Sequence, residues 1–349
     1  MSWSAVKNEE ISYNEYQRTI DRIISYPDAI REALKIALSN KEEVFLFGEG
    51  INDQPALFGV TTDLYKEFGE ERVFDTPLSE NALMGIATGA AIAGMRPVYF
   101  HNRPDFLLLA MDQFVNHATK YNYMSGGQCP VPMVIWAATG KGWGAAGQHS
   151  QSLQALFAHV PGCKVLMPTT PFDSKGLMLS AIEDNNPVVI LEHRILLNQS
   201  GHVPEEEYRI PIGKGVIRRQ GKEITIVADS LMVQEAMKAA ERLEKEGISA
   251  EVIDLRSIKP WDEELVYQSV LKTGRLLVAD TAWYSFGIGA EIAATIGERA
   301  FEYLKCGVMR VAYPDIPTPA SVTLEDEFYA GEEDIVNKVR NAFKDVNTK

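Results

Sequence analysis

DTPLSENALMGIATGAAIAG, residues 75–94, opens as a loop and continues as a helix. Pro77 removes a backbone donor and restricts its neighbours, so the helix starts after it. Ser79 has the short hydroxyl side chain that suits an N-cap, and Glu80 falls in the first turn, where the helix dipole favours a negative charge. Gly85, Gly89 and Gly94 lie among Ala87, Ala90, Ala91 and Ala93, which leaves a surface small enough for another backbone to approach closely. Each glycine costs roughly 1 kcal/mol of helix propensity relative to alanine, so that smallness serves packing. Two readings of Glu80 stand side by side. It is an ordinary first-turn acid on a tightly packed helix, which the local pattern favours, or a catalytic acid held at a helix start.

Outward from this stretch, apolar strands alternate with helices. Val44–Phe47 is a short continuous apolar run, the pattern of a strand inside a parallel sheet. It ends in Gly48-Glu49-Gly50, and ligands of open α/β sheets sit at such carboxyl ends, which makes Glu49 a second acid of interest beside its reading as a turn residue. Strands are expected at Val98–His101, Pro132–Ala137, Lys164–Met167 and Val188–Leu191, with helices at Asp28–Ser39, Phe106–Tyr121, Ser152–His159 and Phe172–Asp184. Phe106–Tyr121 is apolar nearly all round, so it is expected deep in the structure. The pattern lapses between Arg194 and Gly213, then resumes with strands at Ile224–Ala228, Ala250–Ile253, Leu276–Ala279 and Met309–Ala312. The expectation is an α/β chain of two parallel-sheet domains: an N-terminal extension over 1–27, a first domain over 28–200, a linker over 201–213 and a second domain over 214–349.

The chain has 349 residues, 46% hydrophobic and 23% charged, with a formal charge of −14. That balance argues against unassisted binding to nucleic acid or an anionic membrane. Cys129, Cys163 and Cys306 are widely spaced and fit a reducing compartment. With no apolar leader or membrane-length run, the expected location is the cytoplasm.

Glycines at 140, 142, 144 and 147 match neither a dinucleotide fingerprint nor a P-loop. Asp280 precedes Gly287 and Gly289 rather than following them, which excludes a Rossmann dehydrogenase. His149 follows the glycine loop among Gln148, Ser150 and Gln151. An imidazole there suits proton transfer, or simply a hydrogen bond at a helix start. His101, Arg103 and Asp105 form a polar cluster after a strand, as substrate contacts or a solvated loop. From the residues alone the reading stops short of a reaction.

At DTPLSE, and again at residues 112–127 (DQFVNHATKYNYMSGG), 147–152 (GQHSQS), 159–177, 181–189 (AIEDNNPVV), 251–260 (EVIDLRSIKP) and 314–320 (PDIPTPA), the chain resembles the β subunits of 2-oxoacid dehydrogenase E1 components, relatives of transketolase. The resemblance implies a transketolase-like pyrimidine-binding domain followed by a transketolase C-terminal-like domain. It also implies thiamine diphosphate as cofactor, which carries the chemistry while the protein places it. By resemblance, Glu80 pairs with N1′ of the aminopyrimidine, Glu49 is an acid near the cofactor, Phe106 packs on the pyrimidine and His149 contacts substrate or intermediate. A structural potassium ion is implied at Met133, Ala181, Asp184 and Asn186. The Gly-Asp-Gly motif that anchors magnesium and the diphosphate is missing from the chain. The family's answer is a separate E1 α subunit in an α2β2 assembly, which supplies the magnesium ligands.

The run Tyr99–Asp105 departs from the family, whose members carry an acid soon after the Arg-Pro strand. His101 and Arg103 there are candidate substrate contacts. The expected activity is decarboxylation of a 2-oxoacid with transfer of the acyl group to a lipoyl-bearing E2 acyltransferase. The alternatives are a transketolase-like carboligase that passes the enamine to an aldehyde or sugar, and a non-catalytic assembly subunit.

Overall fold

The computed structural model describes residues 22–52, 56–142 and 144–346. The expected N-terminal extension over 1–27 lies almost wholly outside the described residues.

Two sheets carry the chain. The larger has seven strands in the order Ser257–Lys259, Lys164–Leu166, Val188–His193, Val134–Thr139, Arg96–His101, Val44–Gly48 and Val73–Asp75. All pair in parallel except Ser257–Lys259, which runs antiparallel to Lys164–Leu166. The smaller sheet has the order Met309–Tyr313, Leu276–Trp283, Ile224–Ala228, Ala250–Asp254 and Val216–Arg219, with only the last strand antiparallel. The central strands are buried on both faces, as their unbroken apolar runs demand.

The expected helices Tyr26–Asn40, Glu80–Ile92 and Pro171–Glu183 form with small shifts at their ends, and the second unit adds Ser230–Lys245, Glu263–Thr273, Ile288–Arg299 and Glu332–Val346. Tyr26–Asn40 is capped by the Ser25 hydroxyl, and Pro171–Glu183 by a reciprocal Thr170–Asp173 capping box. Ser79 occupies the cap position of Glu80–Ile92, but its hydroxyl makes no capping hydrogen bond.

The stretch expected as one buried helix after Phe106 is divided. Pro104–Leu107 is one helical turn, Leu108–Ala110 a tight 3-10 turn, Asp112–Ala118 a wide π segment, and Thr119–Met124 regular again. Leu107, Ala110, Phe114 and Ala118 are buried, whereas Leu109 is 64% exposed. One face therefore joins the core, and the other is exposed, apolar at Leu108 and Leu109 and polar at Asp112, Asn116 and His117. Such π segments accompany functional sites.

The polar stretch read as a linker is packed rather than loose. Ser200–His202 pairs antiparallel with Ile23–Ser25. Val203 and Ile210 are buried, and the Lys175 ammonium donates to the Pro204 carbonyl at 2.6 Å. Two apolar residues among the charges suffice to seat it on Pro171–Glu183.

Side-chain bonds also cross between the two sheet units. Gln154 Nε2 donates to Asp280 Oδ1 at 3.1 Å, and both residues are buried.

Candidate active site

The carboxyl ends of the parallel strands meet on one side of the larger sheet. Gly48 closes the Val44–Gly48 strand at φ +150°, where a Cβ would lie 2.3 Å from the Phe100 carbonyl, so only glycine brings the chain through to Glu49. The neighbouring strands end at Asp75 and His101, in register with Gly48 and Ala137 respectively. Asp75 Oδ1 accepts from the Gly50 amide at 2.6 Å, and Glu49 Oε2 accepts from Asn102 Nδ2 at 3.2 Å. Glu80 begins its helix five residues beyond Asp75, half-buried like Glu49.

The electrostatics join these acids. Burial pushes the Glu49 carboxyl up, the Asn102 hydrogen bond opposes this, and the negative charges of Glu80 and Asp75 add to the rise. The Tyr99 hydroxyl is held above its ordinary value by burial and by the charges of Glu49 and Glu80. It is buried with no hydrogen-bond partner among the described residues.

A second group adjoins the first through residues 101–106, and the Pro104–Leu107 turn packs against Glu80–Ile92. Phe106 meets the exposed His149 ring edge-on, with centroids 5.1 Å apart and planes at 83°. Asp105 Oδ1 accepts from the backbone amide of Gln151 at 3.2 Å and from its side chain at 2.9 Å. From the other side, Arg194 Nη2 donates to the carbonyl of Gly140, to that of His149 at 3.2 Å and to Ser150 Oγ at 3.3 Å. Gly140 has φ +85°, and a Cβ on it would lie 2.1 Å from His193 Nε2.

The structure thus brings Glu49 and Glu80 together, and Phe106 and His149 together. His101 is placed differently from its companions. It is 2% exposed, its ring meets Tyr99 at a tilt of 52° with centroids 4.1 Å apart, and burial pushes its imidazole down to about 3, so it is neutral. Arg103 is half-buried, and its charge acts on Asp105 and Arg194.

The four residues expected around potassium form an oxygen-rich corner whose atoms already accept hydrogen bonds. The Met133 carbonyl accepts from Val188 and the Ala181 carbonyl from Asp184. Asp184 Oδ1 accepts from the Asn186 amide at 2.9 Å, and Asn186 Oδ1 from Asn122 at 2.7 Å. Each carbonyl keeps a second lone pair, so the donor set fits a weakly held alkali ion. The Lys164 ammonium, paired with Asp184, already places one positive charge there.

Sequence reasoning missed Asn102 on Glu49, Asp75 beside it, and Arg194. Their partners come from neighbouring strands, and no local spacing announces them. Three or more His, Cys, Asp or Glu side chains converging on a metal are absent among the described residues. No helix there is long and apolar enough to cross a membrane.

The order of the two sheet units matches one family. The chain is a member of the transketolase-like proteins: the pyrimidine binding domain of transketolase matches residues 22–199, and the transketolase C-terminal domain matches residues 213–335. It is 43% identical to the acetoin:2,6-dichlorophenolindophenol oxidoreductase subunit beta of Cupriavidus necator, over 93% of this chain and 98% of the relative. It is 41% identical to the mitochondrial pyruvate dehydrogenase E1 component subunit beta of Homo sapiens, over 91% of this chain and 90% of that one. A solved structure described as a split-gene transketolase, inactive beta4 tetramer, superposes with a TM-score of 0.74. It is 25% identical and covers 92% of this chain and 98% of that one.

Proposed function

We propose that this chain is the β subunit of a heteromeric thiamine-diphosphate-dependent 2-oxoacid dehydrogenase, which decarboxylates a small 2-oxoacid and passes the acyl group to a lipoyl acceptor. The observation that carries the proposal is the grouping of Glu49 and Glu80 beside Phe106 and His149 at the strand ends. Relatives matched along nine-tenths of the chain are the β subunits of an acetoin oxidoreductase and of the pyruvate dehydrogenase E1 component, which supports it.

Two half-buried carboxylates, an aromatic ring and a buried hydroxyl fit a small planar heterocycle with ring nitrogens. When bound, thiamine diphosphate supplies the carbon nucleophile and electron sink. Glu80, in the first turn of its helix, holds a proton at the pyrimidine N1′. Glu49 flanks it, Phe106 packs on the pyrimidine, and His149 serves as proton donor or acceptor to the substrate. Arg103 draws the substrate carboxylate in. His101, neutral and buried against Tyr99, contributes to the substrate site by supporting the strand end.

Magnesium and the diphosphate are held by the α partner in an α2β2 assembly, because this chain has no Gly-Asp-Gly anchor. The partner covers the apolar face around the Glu80 helix, where Leu78 is 78%, Ile86 59% and Leu109 64% exposed. A lipoyl-bearing E2 takes the acyl group. Potassium sits, when present, at Met133, Ala181, Asp184 and Asn186. Residues 201–213 mark the boundary of the two units. Three unpaired cysteines suit the cytoplasm.

The test is hydrogen–deuterium exchange at the reactive cofactor carbon in the assembled α–β complex. Glu80→Gln should slow exchange sharply while cofactor remains bound. Equal exchange with full occupancy would return Glu80 to a first-turn acid worth about 0.3–1 kcal/mol.

A further inference from the structure

His149 stands on a segment that secondary structure does not hold. From Ala145 to Leu153 the backbone is turn and coil, entered through left-handed residues at Gly144 and Ala146. An exposed imidazole on such a loop would ordinarily sample many orientations. Here two buried charges grip the chain at the His149 carbonyl and at the two residues that follow. Arg194, 3% exposed, takes the His149 carbonyl and the Ser150 hydroxyl. Asp105, 7% exposed, takes the Gln151 amide and side chain.

Asp105 sits next to Phe106 on the same Pro104–Leu107 turn. The group that fixes the loop and the ring that meets the imidazole therefore share one rigid piece of backbone. A carboxylate serving only that turn would face water, because burying one is costly without compensating partners. Asp105 instead points its Oδ1 at the loop, near the Arg103 and Arg194 charges, and burial pushes its carboxyl up against the opposing Gln151 bonds.

We propose that Asp105 is a positioning residue: through Gln151 it holds the loop so that the His149 imidazole stays against the Phe106 ring, oriented toward the substrate. Its catalytic consequence rests on the reading given under Proposed function, whereas the positional claim does not.

The experiment pairs a kinetic cycle with a direct measurement. In the assembled α–β complex with thiamine diphosphate and magnesium, turnover of pyruvate is compared for wild type, Asp105→Ala, Asp105→Asn, His149→Ala and Asp105→Ala/His149→Ala. A misplaced group can cost about 100-fold in rate. Asp105→Ala should approach that loss in kcat with cofactor affinity unchanged. Asp105→Asn, which still offers an oxygen to the Gln151 amide, should recover most of it. In the His149→Ala background the Asp105→Ala change should cost nothing further, because the group it positions is gone. Losses that multiply instead would overturn the proposal. Amide hydrogen exchange at Gln151 in the chain itself decides the positional claim separately. Exchange should quicken in Asp105→Ala while strand amides of Val134–Thr139 stay protected, and unchanged Gln151 exchange would sink it. A wild-type complex that turns over no 2-oxoacid would refute the dehydrogenase reading, leaving the exchange result to decide Asp105.

Discussion

Asp173 on the helix of the first sheet unit and Arg218 on a strand of the second form an ion pair, with Asp173 fully buried. Arg218 also reaches Asp254 Oδ2 at 2.7 Å, and Arg256 reaches Asp173 Oδ1 at 3.2 Å. Removing one partner strands buried charge, which costs about 3–5 kcal/mol. Asp173→Ala should therefore lower the unfolding free energy by that order in denaturant titrations. A loss below about 1 kcal/mol would mean that water replaces the carboxylate there.

His149→Ala should lower turnover about 100- to 10,000-fold while cofactor affinity is little changed, if the imidazole serves the substrate as proposed rather than the diphosphate. Steady-state kinetics and cofactor titration of the assembled complex check this together. Unchanged turnover would leave His149 as a loop hydrogen bonder.

The isolated chain should bind thiamine diphosphate weakly, with or without magnesium, and gain affinity when the α partner is added. Calorimetry reads both arms. Tight magnesium-dependent binding by the chain alone would refute the shared site.

Glu192 provides a pH test. It is buried, accepts from Ser174 and from Trp136 Nε1 at 2.9 Å, and burial pushes its carboxyl up to about 7. Between the ordinary carboxylate value and about 7, the folded chain keeps a proton that the unfolded chain has lost. That contribution to stability falls as pH rises through this window and is flat above it. Glu192→Gln cannot titrate, so its stability relative to wild type should improve from pH 5 to pH 8, by up to about 3 kcal/mol. Parallel pH profiles for the two proteins would show that Glu192 does not titrate there.

Much of this fold was legible because central parallel strands are continuous apolar runs. Val188–His193 and Ile224–Ala228 announce themselves that way. Val73–Asp75, Val216–Arg219 and Ser257–Lys259 did not, being short strands at sheet edges with only one neighbour each. Glu80 and His149 carried local signals, a helix start and a glycine loop. Asn102, Asp105 and Arg194 gain their partners only once register sets strand ends side by side, as when the Arg194 amide meets the Thr139 carbonyl at 3.0 Å. The full burial of His101 was hidden for the same reason. Its polar neighbours Asn102 and Arg103 suggest a loop, while its strand pairing draws it inside.

The antiparallel strand Ser257–Lys259 belongs by sequence to the second unit and by hydrogen bonding to the sheet of the first. It acts as a seal on the Lys164–Leu166 side, where an open row of amides and carbonyls would otherwise recruit a strand from another molecule. A gene cut near residue 213 would thus yield an N-terminal fragment with a sticky margin, inclined to precipitate or to swap strands. The two halves are better regarded as parts of one folding unit, produced together, than as interchangeable modules.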